Sequence, residues 1–88
     1  MRLVFTPSGW DDHRYWQTHD EKRLRRLNYL LENTKRDPHS GAGDPLPLRH
    51  GLEGLWSRRI DDEHRLVYLV EGDRIVVLQA RHHYEEGA

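Results

Sequence analysis

The last third of the chain leaves little choice of architecture. Leu55 to Ile60, His64 to Val70 and Arg74 to Ala80 are rich in branched and aromatic residues, and only the turns "IDDEH" and "VEGDR" separate them. Strand-like runs this close together pair as an antiparallel meander, and the second turn carries a Gly-Asp signal. On a strand the side chains alternate between faces. Leu66, Tyr68 and Val70 therefore share one face with His64, while Arg65, Val67 and Leu69 share the other. In the last run Ile75, Val77, Gln79, Arg81 and His83 align, and Val76, Leu78, Ala80, His82 and Tyr84 alternate with them. Such a sheet needs a cover, and the preceding residues have to supply it.

Those residues read as one strand and two helices. "RLVF", Arg2 to Phe5, is a short strand of β-favouring residues, broken at Thr6-Pro7-Ser8. Ser8 with Asp11 has the form of a capping box, which predicts a first helix through Trp10, Tyr15 and Trp16 to about Thr18. Asp20 caps a second. Leu24, Leu27, Leu30 and Leu31 recur at the three- and four-residue intervals of an amphipathic helix, which Asn33-Thr34 and Asp37-Pro38 terminate. His39 to Gly54, rich in glycine and proline, is a long loop. The order is β-α-α-β-β-β: an α+β fold with two N-terminal helices packed on a mainly antiparallel twisted sheet.

A chain of 88 residues makes one domain, here residues 1 to 84, with "EEGA" at 85 to 88 as a short acidic extension. No run of ~18 apolar residues is present, so no membrane span is expected. Too few apolar residues precede Thr6-Pro7 for a signal-peptide core, and there is no cysteine. These features point to the cytoplasm. The formal net charge of −1 argues against bulk attraction to nucleic acid. It leaves room for a local patch, and Lys22, Arg23, Arg25, Arg26, Lys35 and Arg36 crowd one stretch with only Glu32 against them. On its own that stretch reads as a solvated helix face.

The polar residues on the strands suggest chemistry. "LQARHHYEEGA" sets two histidines beside a phenol, and imidazole changes charge near neutral pH. A bare His-His-Tyr is more often a solvated tail. Zinc is a weaker reading: His50, His64, His82 and His83 supply nitrogens, but no HxH or HExxH spacing appears. Metal-free RNA cleavage needs a base for the 2′-hydroxyl, a cation for the phosphorane charge and an acid for the leaving 5′-oxygen. Arg65 suits the second role, because its planar fork matches phosphate oxygens. His83 suits proton donation, Tyr84 stacking or a hydrogen bond, and Arg49 and His50 stand ready in the loop. Arg58 and Arg59 point to opposite faces, so at most one joins Arg65, and the other holds RNA or stays solvated. His64 reads as packed between sheet and helix, and Asp61-Asp62 as a turn.

The stretches "SGWDDHRYWQTHD", "PLPLRHGLEGLWSRRIDDEHRLVY" and "ARHHY" carry a resemblance from Met1 to Tyr84. The chain resembles the Txe/YoeB family of toxins, within the RelE-like superfamily. The long central pattern from Gly54 to Tyr68 is the specific part. "WDD" at Trp10 to Asp12 would say little alone. The resemblance implies a microbial-ribonuclease-like α+β domain that cuts mRNA in the ribosomal A site. Cleavage in that family is a metal-free transphosphorylation, with no cofactor, that leaves a 2′,3′-cyclic phosphate. It also implies a YefM-like antitoxin partner, operator DNA reached only through that antitoxin, and dimerisation.

Carried over residue by residue, the resemblance implies that Arg65 stabilises the phosphate in the transition state. His83 is the general acid, and Tyr84 helps place the substrate. Arg49 and His50 hold positions near the phosphate, with Glu63 close to the site. One position departs. The family has a glutamate, its proposed general base, in a "PEPLKH" segment, and here "PLPLRH" puts Leu46 there. Loss of a general base costs ~10²–10⁴-fold in rate. Three origins fit Leu46: a detoxifying substitution, a natural degenerate toxin that still binds, or a subgroup with another base. Arg65 and His83 are intact, which favours an engineered or recent loss. The alternative to an endoribonuclease is thus an inactive variant that still binds antitoxin and ribosome.

Overall fold

The computed structural model describes residues 1–49 and 53–82. Strand β1 (Arg2–Phe5) leads into helix α1 (Pro7–His19) and helix α2 (Glu21–Arg36). A two-residue strand β2 (Leu46–Pro47) follows, then β3 (Leu55–Arg59), β4 (Arg65–Glu71) and β5 (Arg74–Gln79). The sheet order is β1-β5-β4-β3-β2. All pairings are antiparallel except β1 with β5, where Arg2 faces Arg74 and Phe5 faces Val77. The β-α-α-β-β-β reading holds, with β2 added inside the segment expected to be loop.

The start of α1 differs from the expected Ser8 capping box. Thr6 is the N-cap, and its Oγ1 accepts the Gly9 N–H at 3.1 Å. Pro7 explains the shift: its fixed φ suits the first helical position, where an N–H has no helical partner to lose. The Thr6 hydroxyl also donates to the Val77 carbonyl at 3.2 Å, pinning the helix start to β5. Gly9 is required by that approach, since a Cβ there would lie 2.3 Å from the Val77 carbonyl oxygen.

Asp20 joins the helices with a single residue. Its N–H closes α1 on the Trp16 carbonyl, and its carboxylate opens α2 by accepting the Arg23 N–H at 3.1 Å. Helix α2 runs past Asn33-Thr34 to Arg36, because the Thr34 hydroxyl turns back onto the Leu30 carbonyl at 2.7 Å and is buried. Leu27, Leu30 and Leu31 then pack with Trp16 against Ile60, Leu66, Tyr68, Ile75, Val77 and Ala80.

Two features of the sheet depart from simple alternation. A register shift at Val67/Tyr68 sets Val67 opposite Gln79 and Tyr68 opposite Val77, with Leu78 unmatched between. The bulge flips the phase of β5, so Ala80 rather than Gln79 joins Ile75 and Val77 in the core. The second departure is Arg58, which is 0% exposed. It neither holds RNA nor stays solvated, because β3 turns it toward Leu66 and Tyr68 under the helices. Its guanidinium donates to the carbonyls of Asp37, Ser40 (3.0 Å) and Ala42 (2.9 Å) and to the Tyr68 hydroxyl (3.1 Å). The Tyr68 hydroxyl passes its own proton to the Pro38 carbonyl at 2.6 Å. One buried cation therefore satisfies the carbonyls of the chain that leaves α2. Burial pushes the Tyr68 phenol above its ordinary pKa, against the opposing pull of Arg58.

Candidate functional site

The face of the sheet away from the helices carries the arginines of interest. Pairing of β3 with β4 sets Ser57 beside Val67 and Arg59 beside Arg65. Pairing of β2 with β3 sets Leu46 beside Ser57. Arg65 leans along this face, and its Nε and Nη2 donate to the Ser57 hydroxyl at 3.2 and 3.0 Å. Of five guanidinium N–H groups, these two are the ones engaged among the described residues, which leaves three for another acceptor. Leu46 is 55% exposed on the other side of Ser57. Opposed residues on paired strands stand roughly 5 Å apart at Cβ, so a longer acidic side chain at this position would reach the Arg65 fork.

Arg59 shares the face but is engaged, 3.6 Å from the Asp44 carboxylate, while its N–H donates to the Gly43 carbonyl at 2.7 Å. Arg49 is exposed in the segment between β2 and β3. His50, His83, Tyr84 and the 85–88 extension lie outside the described residues.

Glu63 sits elsewhere. It lines a cleft of about 320 Å³ on the helix side, together with Tyr15, His19, His64, Arg81 and His82. Its N–H donates to Asp61 Oδ1 at 2.8 Å, as does that of His64, which makes the expected acidic turn. Asp61 Oδ2 takes the Arg23 Nε–H at 2.5 Å. Burial pushes the Asp61 pKa up, but the Arg23 guanidinium and the Glu63 and His64 N–H groups outweigh it and leave the carboxyl below its ordinary value.

The two regions meet where β5 ends. The Arg65 N–H donates to the His82 carbonyl at 3.0 Å, and the His82 N–H donates to His64 Nδ1 at 2.8 Å. Just upstream, Trp16 Nε1 donates to the Ala80 carbonyl, and the Ala80 N–H donates to Asp12. The Arg81 guanidinium lies 3.5 Å over the Tyr15 ring, which also stacks on His19 and meets Trp16 edge-on. His64 is packed edge-on to Trp16, as its position in the sequence suggested. Sequence reasoning gave Ser57, Gln79 and Arg81 no role. Ser57 was findable, since alternation and antiparallel pairing put it on the Arg65 face. The Arg81–Tyr15 contact joins opposite ends of the chain and leaves no local signal. Among the described residues, no group of three or more His, Asp or Glu side chains is placed to hold a metal ion.

The basic stretch of α2 is partly internal. Arg23 bridges Asp20 and Asp61, Arg25 pairs with Glu21 and Lys35 with Glu32. Arg26 reaches back to the Arg59 and Ile60 carbonyls. No helix among the described residues is long and apolar enough to cross a membrane.

Two helices over one face of a mixed sheet, with arginines on the other, make this the RelE-like α+β toxin fold. The YoeB/ParE toxin from Agrobacterium tumefaciens has it with a TM-score of 0.91 and 48% identity, over 96% of this chain and 100% of that one. The family model for the YoeB-like toxin of bacterial type II toxin–antitoxin systems matches residues 5–84, and the chain belongs to that family. Toxin YoeB of Streptomyces coelicolor is 50% identical, and Toxin YoeB of Escherichia coli K12 is 45% identical. Each match covers 96% of this chain and all of the relative. A YoeB–YefM complex from Staphylococcus aureus matches with TM-score 0.85 and 35% identity, over 96% of this chain and 98% of that one. A YoeB dimer from the same organism matches with TM-score 0.87 and 36% identity, with the same coverage.

Proposed function

We propose that this toxin is an endoribonuclease that cuts mRNA in the ribosomal A site without a metal. The observation that carries the reading is Arg65, held by Ser57 on the open sheet face with donors to spare for a phosphate. In the proposed reaction the 2′-oxygen attacks phosphorus as its proton leaves to a base. Arg65 neutralises the charge that builds on the phosphorane oxygens. The P–O5′ bond breaks as His83 gives the 5′-oxygen a proton. The products are a 2′,3′-cyclic phosphate and a 5′-hydroxyl. Tyr84 places the substrate, and Arg49, His50 and Arg59 hold its backbone. Glu63, on the helix side with His64, contributes from the adjoining cleft.

Leu46 cannot take the proton, so the base step is the impaired one. A second reading follows from that residue: a disabled toxin that still docks to ribosome and antitoxin. A YefM-like antitoxin is the proposed restraint, with a homodimer as the proposed assembly and the cytoplasm as the compartment. These rest on the family and on the complex and dimer of relatives.

The test is mRNA cleavage on programmed ribosomes by this chain and by its Leu46→Glu variant. The variant is expected to cut ~10²–10⁴-fold faster. Equal rates would move the base to another residue. Absence of cleavage by both would favour the binding reading.

A further inference from the structure

His82 adopts φ +66°, the left-handed region that residues with a Cβ avoid. Such a conformation persists where its surroundings over-determine it. Here both peptide groups around His82 are held. Its N–H donates to His64 Nδ1 at 2.8 Å. Its carbonyl accepts the Arg65 N–H at 3.0 Å and the Gln79 Nε2–H at 3.2 Å. His64, whose ring makes the first of these bonds, is 8% exposed, and its ring centroid lies 4.8 Å from that of Trp16. Its own N–H is fixed by Asp61 and its carbonyl by the Ile60 N–H. A ring nitrogen that accepts a hydrogen bond carries no proton, so neutral His64 holds its proton on Nε2, 3.6 Å from Glu63 Oε2.

We infer that His64, acting as a hydrogen-bond acceptor through Nδ1, is a positioning residue for the site. It locks the strained His82 peptide from which the chain continues to His83. The inference rests on the proposed reaction, in which His83 is the acid. Arg65 and His82 are tied to each other backbone to backbone, so one lock references the acid's attachment point to the phosphate-binding arginine. A displacement of ~1 Å in such an arrangement costs ~10²-fold in rate.

Asparagine and glutamine separate this role from mere packing. Asparagine Oδ1 occupies the place of Nδ1, while a glutamine amide reaches the place of Nε2. Single-turnover cleavage on programmed ribosomes would be measured for His64→Asn, His64→Gln and His64→Phe, each with Leu46 and with Leu46→Glu. Imidazole ¹⁵N spectra of the parent would report the tautomer. We expect a proton on Nε2 and none on Nδ1. We expect His64→Asn to cut within a few-fold of its parent, and His64→Gln and His64→Phe to lose ~10²-fold in kcat with ribosome affinity unchanged. A protonated Nδ1, full activity in His64→Phe, or His64→Asn as poor as His64→Phe would overturn the inference and leave the reaction standing. If no chain cuts, Leu46→Glu included, the proposed reaction falls and takes this role with it.

Discussion

The Ser57 hydroxyl accepts two hydrogen bonds from one guanidinium, Nε and Nη2 of Arg65, and Ser57 is itself only 2% exposed. A long flexible side chain is thereby held on the sheet before any substrate arrives. Ser57→Ala removes the anchor and almost no volume. Its cleavage rate in the Leu46→Glu background is expected to fall about tenfold, with ~10²–10³-fold for Arg65→Ala, where the charge goes as well. Single-turnover rates with thermal melts of both variants check this. A melting temperature that falls as far as the rate would assign Ser57 to stability instead.

Arg58 and Arg59 are neighbours in sequence with opposite fates, which makes them a paired test of stability. Arg58→Met leaves three carbonyls and the Tyr68 hydroxyl short of donors. The expected loss is about 3 kcal/mol or more, a large part of the ~5–15 kcal/mol that holds a small domain together. Arg59→Met, on the exposed side, is expected to stay within ~0.5 kcal/mol. Urea unfolding of the two variants decides it, and equal midpoints would contradict the buried clamp.

Leu46→Glu is expected to leave unfolding within ~0.5 kcal/mol of the parent, because the side chain it replaces is largely exposed. The predicted gain in cleavage is then not a gain in folded protein. Urea midpoints measured on the same preparations as the rates check it.

Among the described residues, three carboxylates are held below their ordinary pKa. Asp20 is lowered by the Arg23 N–H and guanidinium, and Asp37 by the Ser40 hydroxyl and His39 N–H. Asp61 is lowered, against its burial, by Arg23 and two backbone N–H groups. A carboxyl whose folded pKa is depressed stabilises the fold above its unfolded value near ~4, and that contribution is lost as pH falls through the folded pKa. The contribution of these three carboxylates is therefore expected to be constant through weakly acidic pH and to fall below about pH 4. Asp61→Asn should flatten the drop. Melting temperature against pH for the parent and Asp61→Asn reads this directly, and an unchanged acid limb would remove Asp61 from the account.

If the second helix meets ribosomal phosphates, its cations differ in what they can offer. Arg23 is committed to Asp20 and Asp61, whereas the Arg25 pair with Glu21 is exposed on both sides. Exposed pairs are weak and yield to a phosphate. Lys22→Ala and Arg25→Ala should each weaken ribosome binding and reduce its salt slope by about 1. Arg23→Ala should act mainly on folding. Ribosome binding titrated against salt concentration separates these, and a salt-independent association would sink the contact.

Much of this architecture was legible because local signals agreed with it. Leu27, Leu30 and Leu31 marked the buried face of α2, Asp20 marked the helix junction, and the meander followed from its turns. What stayed hidden depended on contacts distant in sequence. The strand at Leu46–Pro47 is too short and proline-rich to announce itself, and only the edge of β3 makes it a strand. The bulge at Val67/Tyr68 exists only in the pairing of two strands, so alternation misassigned Gln79 and Ala80. Arg58 has the alternation of a core residue and the chemistry of a surface one, and the acceptors that reconcile the two come from the segment after α2 and from Tyr68. For the site, the Arg65 placement was readable, while the link from His64 to His82 spans a whole hairpin and was not.

The parallel zipper between β1 and β5 has a consequence for synthesis. Residues 2–5 pair with residues 74–77, so the first strand made waits for the last. Closing a loop of that length is slow compared with helix formation, and during translation it cannot start until the partner strand has left the exit tunnel. The His82 peptide that organises the site lies later still. A nascent chain therefore carries Arg65 before the frame that holds it has closed.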